Sequence, residues 1–346
     1  MTIVEAERPV TGGVDTHLDT HVAAALDPIG GVLGVASFPA SAPGYRQLLG
    51  WLQSFGPVGL VGVEGTGSYG AGLARHLRGA GVAVAEVDRP NRQVRRRSGK
   101  SDPIDAVEAA RAAQSGRALG VAKHRDGTVE AIRALMVARR SARAARVTAL
   151  TQIRHLSFTA PDQLRERLRG LTAYAVALEV ASLRPRAGGD EVTYATKVAM
   201  RSLGRRVLAL DAEKAALDEL LGELVRTVAD DLLCLYGVGV DSAAALLVAA
   251  GDNPERIRTE AAWAHLCGVA PIEASSGKVR RHRLDRGGDR QANAALWRIV
   301  MCRMRNEPRT RAYVERRTAE GRSKLEIMRV LKRYVAREVY YYLPRH

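Results

Sequence analysis

The hydrophobic pattern changes character about a third of the way along the chain. Before residue 100 the apolar positions fall in short runs. Thr11–Asp15, His21–Asp27 and Gly31–Phe38 predict three strands, with a turn at Asp27-Pro28-Ile29-Gly30. Pro43–Phe55 predicts a helix carrying Leu48, Leu49, Trp51 and Leu52, followed by a strand at Val58–Val63, a helix at Tyr69–Arg78 and a strand at Val82–Val87. Strands interleaved with helices indicate α/β layers. After Ser101 the pattern is almost wholly helical, with candidate helices at Asp102–Gln114, Thr128–His155 and Leu203–Ala229. The Ala-, Leu- and Arg-rich stretches 128–156 and 203–229 have imperfect heptads, so they predict either a coiled coil or a buried helical hairpin. The run RPRAGGDEV around 184–192 reads as a linker, and no internal repeat is present. The expected class is therefore α/β plus α. An α/β domain spans 10–127, a helical coiled-coil or linker region 128–229, and a mainly helical C-terminal unit 230–346.

Composition adds a partner. At 346 residues, 46% hydrophobic and 26% charged, the chain has material for folded domains. No run reaches the roughly 18–20 apolar residues that span a bilayer. The N-terminus lacks a basic region followed by an apolar stretch, so no secretory signal or membrane association is expected. Cys234, Cys267 and Cys302 are too few and too scattered for a disulfide framework or zinc site. The expectation is a reduced, cytoplasmic protein. Its formal charge is +16, and Ser276–His346 alone holds 20 Lys and Arg against 7 Asp and Glu. A second cluster, Arg89, Arg92, Arg95, Arg96, Arg97 and Lys100, contains no acid. A basic surface gains from counterion release when it meets phosphate, so nucleic acid is the expected partner and the nucleoid the expected place.

Gly65-Thr66-Gly67-Ser68-Tyr69-Gly70 matches the GxGxxG spacing of dinucleotide sites, with Glu86 and Asp88 on the following strand. Two features oppose that reading. Glu64 directly precedes the glycines, where it would crowd a pyrophosphate, and the motif follows a three-strand meander instead of opening the first βαβ unit.

The acids make a better set. Asp15 ends the first strand, Glu64 ends the fourth, and Asp102 and Asp105 share one side of a helical first turn through their i, i+3 spacing. Individually each has a plain structural reading. Asp102 suits an N-cap ahead of Pro103, Asp105 suits the helix dipole, and Asp15 and Glu64 suit ordinary strand ends. Together, in a basic protein, they form an all-oxygen donor set for Mg²⁺ or Mn²⁺ of the kind used in phosphoryl transfer.

Gly13-Val14-Asp15-Thr16-His17, Val63-Glu64-Gly65-Thr66-Gly67-Ser68-Tyr69 and Lys100-Ser101-Asp102-Pro103-Ile104-Asp105-Ala106 resemble the DEDD transposases of the "insertion sequence one-ten" family, which includes the Piv/MooV-type DNA invertases. The resemblance implies a ribonuclease H-like, RuvC-like N-terminal domain, with Asp15, Glu64, Asp102 and Asp105 as its catalytic, metal-holding tetrad.

It extends into the C-terminal unit. Leu235-Tyr236-Gly237-Val238-Gly239-Val240-Asp241 looks either like the turn of a helix–hairpin–helix, whose Gly237 and Gly239 would present backbone N–H groups to a DNA phosphate, or like a glycine-broken turn between two core helices. The stretch from Gly268 to Lys278 resembles the family's transposase domain, whose catalytic serine lies just before a glycine. That match makes Ser276 the nucleophile, with Ser275 the neighbouring alternative. Lys278, Arg280, Arg281 and Arg283 follow as nucleic-acid contacts, and the similarity continues through Asp285–Leu296 and Pro308–Tyr313.

The family reading implies that Ser276 attacks a DNA phosphodiester to form a covalent phosphoserine link, so that strands are exchanged without ATP. It also implies donor and target DNA as substrates, a bridge RNA that pairs with both, and a tetramer built from dimers through helical segments. The Arg89–Lys100 cluster would suit RNA or the DNA backbone. Two further readings compete. One is a metal-dependent Holliday-junction nuclease using the same acids with water. The other is a non-catalytic binding protein needing only the basic tail and hairpin.

Overall fold

The computed structural model describes residues 9–87, 101–117, 120–186, 188, 190–253, 256–278, 282–283, 285 and 287–344. These divide into two compact units, Met1–Gly127 joined by Ala250–Trp263, and Thr128–Ala249 joined by Ala264–Pro344.

The first unit is built on a six-stranded sheet. β1 (Val10–Thr16), β2 (Thr20–Leu26) and β3 (Val32–Pro39) form an antiparallel meander. The chain then passes through α1 (Ala42–Gln53), β4 (Val58–Glu64), α2 (Ala71–Gly79) and β5 (Ala83–Val87), with β4 parallel to β1 and β5 parallel to β4. After α3 (Asp102–Gln114), β6 (Gly120–Val121) closes the order β3-β2-β1-β4-β5-β6. All five strands and both helices expected before residue 100 are present. Helix α2 starts two residues later than its apolar pattern suggests, because the Gly65 carbonyl accepts hydrogen bonds from Ser68 and Gly70 and holds the glycines in turns.

Both faces of the sheet are covered, so β2 is apolar on both sides instead of alternating. Ala23 and Ala25 pack with Leu48 and Leu52 of α1 and with Leu73 and Leu77 of α2, while Val22 and Ala24 face Ala106 of α3. Helix α3 sits unusually close to the strands. Gly13 and Gly62 are register partners on β1 and β4. A Cβ on Gly13 would overlap the backbone of Ala106 and Ala110, and one on Gly62 would lie 2.5 Å from the Ala109 carbonyl. Two opposed glycines under an alanine face (Ala106, Ala109, Ala110 and Ala113, all buried) therefore seat α3 on the sheet.

The second unit is helical. α4 (Thr128–Thr159) runs antiparallel to α7 (Glu191–Leu233), with α5 (Asp162–Leu168) and α6 (Ala173–Ala181) between them in sequence. Arg139 pairs with Asp218, and Arg146 with Asp211 at 2.5 Å. The two pairs are one heptad apart on each helix, which is how facing coiled-coil helices register. Helix α7 starts twelve residues before the expected Leu203, because the Asp190 side chain accepts the Thr193 N–H and caps it there; its backbone leaves helical geometry at Ala229. α8 (Val240–Ala250) follows a glycine turn, and α9 (Glu260–Leu266) begins in the 250–263 segment assigned to the first unit and ends in the second. The short hairpin of β7 (Ile272–Glu273) and β8 (His282–Arg283) then precedes α10 (Arg290–Asn306), α11 (Pro308–Ala319) and α12 (Lys324–Tyr342).

Candidate metal centre and serine loop

Asp15 follows Gly13 by two residues, so its side chain leaves β1 on the face that α3 covers. Helix α3 runs back along β1 with its first turn toward the strand's C-terminal end. Ser101 takes the N-cap position, so Asp102 is the first helical residue and not a cap, and Asp105 lies one turn further in. Asp15 is 7% exposed and Asp105 3%, whereas the Asp102 side chain is 46% exposed. Glu64 ends β4. The β1–β4 register, which pairs Val14 with Val63, sets Glu64 beside Asp15, and the Thr16 hydroxyl donates to the Glu64 carbonyl at 2.8 Å.

Within this neighbourhood one tight group forms among the described residues. One ligand atom each from Asp15, His17 and Asp102 lies within 4.8 Å of the others. His17 stands between the carboxylates, with Nδ1 3.7 Å from Asp15 Oδ2 and Nε2 3.9 Å from Asp102 Oδ1. Glu64 and Asp105 lie outside that group. The acid pattern of the sequence does not single out His17. Its signal was parity, because residues 13, 15 and 17 alternate onto one face as the strand ends.

The glycine motif has a local job. Thr66, almost fully buried, donates its hydroxyl to Glu86 Oε1 at 2.6 Å. The acid that a dinucleotide site would turn toward a ribose is thus used to hold the loop.

Ser275 and Ser276 are exposed in the loop between β7 and β8, with Gly277 next to them at φ +56°. The base of this loop is fastened firmly. Gly288 packs so closely on Gly268 that a Cβ would overlap the Gly268 backbone. Asn293 of α10 donates to the carbonyls of Cys267 (2.8 Å) and Gly268 (3.1 Å), and Lys332 of α12 donates to Asn293 Oδ1 at 2.9 Å. Burial, aided by nearby Arg329, holds the Lys332 ammonium below its ordinary pKa. Neither Asn293 nor Lys332 was singled out from sequence, since their role arises from a contact between helices 39 residues apart. Beside this base opens a cleft of about 850 Å³ lined by Arg283, Arg317, Arg322, Arg329, Lys332 and Arg333, against the acids Asp285 and Glu326.

Between α7 and α8, Gly237 adopts φ +79°, which glycine tolerates and L side chains rarely do. Arg303 of α10, nearly buried, donates to the Tyr236 carbonyl at 2.8 Å and to Glu338 at 2.6 Å, fastening this turn to the rest of the unit. Lys278 and Arg283 are exposed. Arg89, Arg92, Arg95, Arg96, Arg97, Lys100, Arg280 and Arg281 lie outside the described residues.

Residues 12–159 match a family model of the DEDD type, described as "Transposase", and residues 229–315 match a second, described as "Transposase IS116/IS110/IS902 family". The chain belongs to the IS110 family of transposases. The first match contains Asp15, Glu64, Asp102 and Asp105, and the second contains the α7–α8 turn and the serine loop. Among curated relatives of this IS110-family chain, the "Insertion element IS110 uncharacterized 43.6 kDa protein" of Streptomyces coelicolor is 30% identical over 139 residues, which are 39% of this chain and 34% of the relative. The "Insertion element IS900 uncharacterized 42 kDa protein" of Mycobacterium paratuberculosis is 28% identical over 165 residues, 47% of this chain and 41% of the relative. The chain thus spans less than half the length of the curated relatives it matches. Among the described residues, no helix is long and apolar enough to cross a membrane.

Proposed function

We propose that this chain is a DNA transposase that cuts and rejoins strands through a covalent phosphoserine link, with Ser276 as nucleophile and an acidic metal centre in the first unit. The observation that carries the reading is the convergence of Asp15, His17 and Asp102 on one point at the end of β1, inside a segment that matches a transposase family. The donor set fits a divalent cation, since it offers two carboxylates and an imidazole with Glu64 and Asp105 nearby. A cation held there, Mg²⁺ or Mn²⁺, supplies positive charge to the oxygens of a phosphodiester.

The chain's own residues do the rest. The Ser276 Oγ attacks phosphorus, the bond to one DNA strand breaks, and that strand leaves as a hydroxyl carrying a proton. The serine's own proton is lost in the attack. Attack by a different strand's hydroxyl reverses the steps and seals a new junction. Asn293 and Lys332 keep the base of the loop in place, while Lys278, Arg283 and the cationic cleft meet phosphate charge. The α7–α8 turn acts as a helix–hairpin–helix whose Gly237 and Gly239 N–H groups face the backbone. Target choice is delegated to a bridge RNA pairing with donor and target DNA, and the working particle is a tetramer. The N-terminal sheet, a meander continued by two parallel strands, supports the ribonuclease H-like assignment.

A trapped protein–DNA adduct on a denaturing gel tests the nucleophile. The reading expects the adduct in the wild-type protein and in Ser275→Ala, and its loss in Ser276→Ala. A fully active Ser276→Ala protein would overturn it in favour of hydrolysis by water. Recombination retained in both Asp15→Asn and Glu64→Gln would remove the acids from the mechanism.

A further inference from the structure

A metal centre made only of carboxylates would be the expected partner of Mg²⁺, which prefers oxygen and gives up its water reluctantly. His17 changes the donor chemistry. Its nitrogens lie 3.7 and 3.9 Å from Asp15 and Asp102, too far for hydrogen bonds to either. One ligand atom from each of the three residues lies within 4.8 Å of the others, so a small side-chain rotation brings them to the roughly 3–4 Å spacing of donors that share one divalent ion. The backbone also commits the residue. The His17 N–H bonds the Thr20 carbonyl at 3.0 Å in the turn that joins β1 to β2, fixing the Cα from which the imidazole reaches between the acids.

We infer that His17 is a nitrogen ligand and that the site is a mixed nitrogen–oxygen centre, selective for a borderline first-row divalent cation such as Mn²⁺ over Mg²⁺ or Ca²⁺. Imidazole adds affinity for transition metals and little for the hard alkaline earths. This rests on the reading of the Asp15 region as a metal centre.

The test uses the full chain and Mn²⁺ as probe. Pulsed electron paramagnetic resonance of the Mn²⁺-loaded protein is expected to show nitrogen coupling that changes when the histidines carry ¹⁵N and vanishes in His17→Asn. His17→Asn is also expected to weaken Mn²⁺ at least about tenfold while weakening Mg²⁺, measured by competition, less than about threefold. A spectrum unchanged by ¹⁵N-histidine, which needs no variant to fold, overturns the ligand role while Mn²⁺ binding leaves the metal centre standing. Equal weakening of both ions in His17→Asn also overturns it. Absence of any Mn²⁺ bound, or binding that survives Asp15→Asn, overturns the metal centre itself.

Discussion

His21 is a residue whose protonation the fold resists. It is fully buried on β2, stacked on Tyr45 at 5.6 Å with rings nearly parallel, and Tyr45 in turn lies 6.1 Å from His76. Neither ring nitrogen has a hydrogen-bond partner among the described residues. Burial lowers its pKa, opposed by the Thr20 backbone and aided by the charge of nearby His17. The unfolded chain takes up a proton near pH 6.5 that the folded chain refuses, so the unfolded state binds more protons and stability falls as pH drops through that value. One such group contributes at most about 1.4 kcal/mol per pH unit. Urea titrations at pH 7.5 and 5.0 should show the wild-type protein losing stability on acidification by more than His21→Phe does. Equal losses in the two proteins would mean that His21 is reachable by protons in the native state.

At the scale of elements, the first unit depends on how closely α3 approaches the sheet. The smallest possible side chain on Gly13 meets the helix backbone, which cannot yield as a flexible side chain can. Gly13→Ala should cost about 1–3 kcal/mol or more and lift the first turn of α3, which carries Asp102, away from Asp15. Thermal unfolding and Mn²⁺ affinity should therefore fall together, and an unchanged melting temperature would contradict the seating. In the second unit the Arg146–Asp211 pair is about a quarter exposed on each side, so a double-mutant cycle with alanine should return about 0.5–1 kcal/mol. The charge-swapped pair Arg146→Asp with Asp211→Arg should recover most of it, and no coupling would mean that the ladder only decorates apolar packing. These features also mark what sequence could reveal. Strands and first-turn acids were legible because alternation and capping are local signals. The choice between coiled coil and hairpin was not, because register between α4 and α7 depends on residues about 65–80 positions apart. The same limit hid Asn293, Lys332 and Arg303. His17 was hidden differently, since a strand-end histidine acquires meaning only once α3 brings Asp102 opposite it.

For the whole molecule the charge of +16 is the dominant long-range property, and most of it lies from Ser276 onward, in the segment that also lines the cationic cleft. Concentrated positive charge makes binding to duplex DNA strongly salt-dependent, because each neutralised phosphate releases condensed counterions. If the cleft carries part of that contact, Arg283→Ala with Arg329→Ala should reduce the slope of log K against log salt by about two, with roughly equal weakening on unrelated sequences. Neither residue belongs to the acid group on β1 and α3, so Mn²⁺ affinity should be unchanged in the same double variant. A slope that does not move would place the phosphate contacts elsewhere in the basic segment. A slope that moves only on one sequence would make the two arginines readers of bases and not of backbone. Fluorescence anisotropy with two unrelated duplexes, from about 50 to 200 mM salt, separates these outcomes.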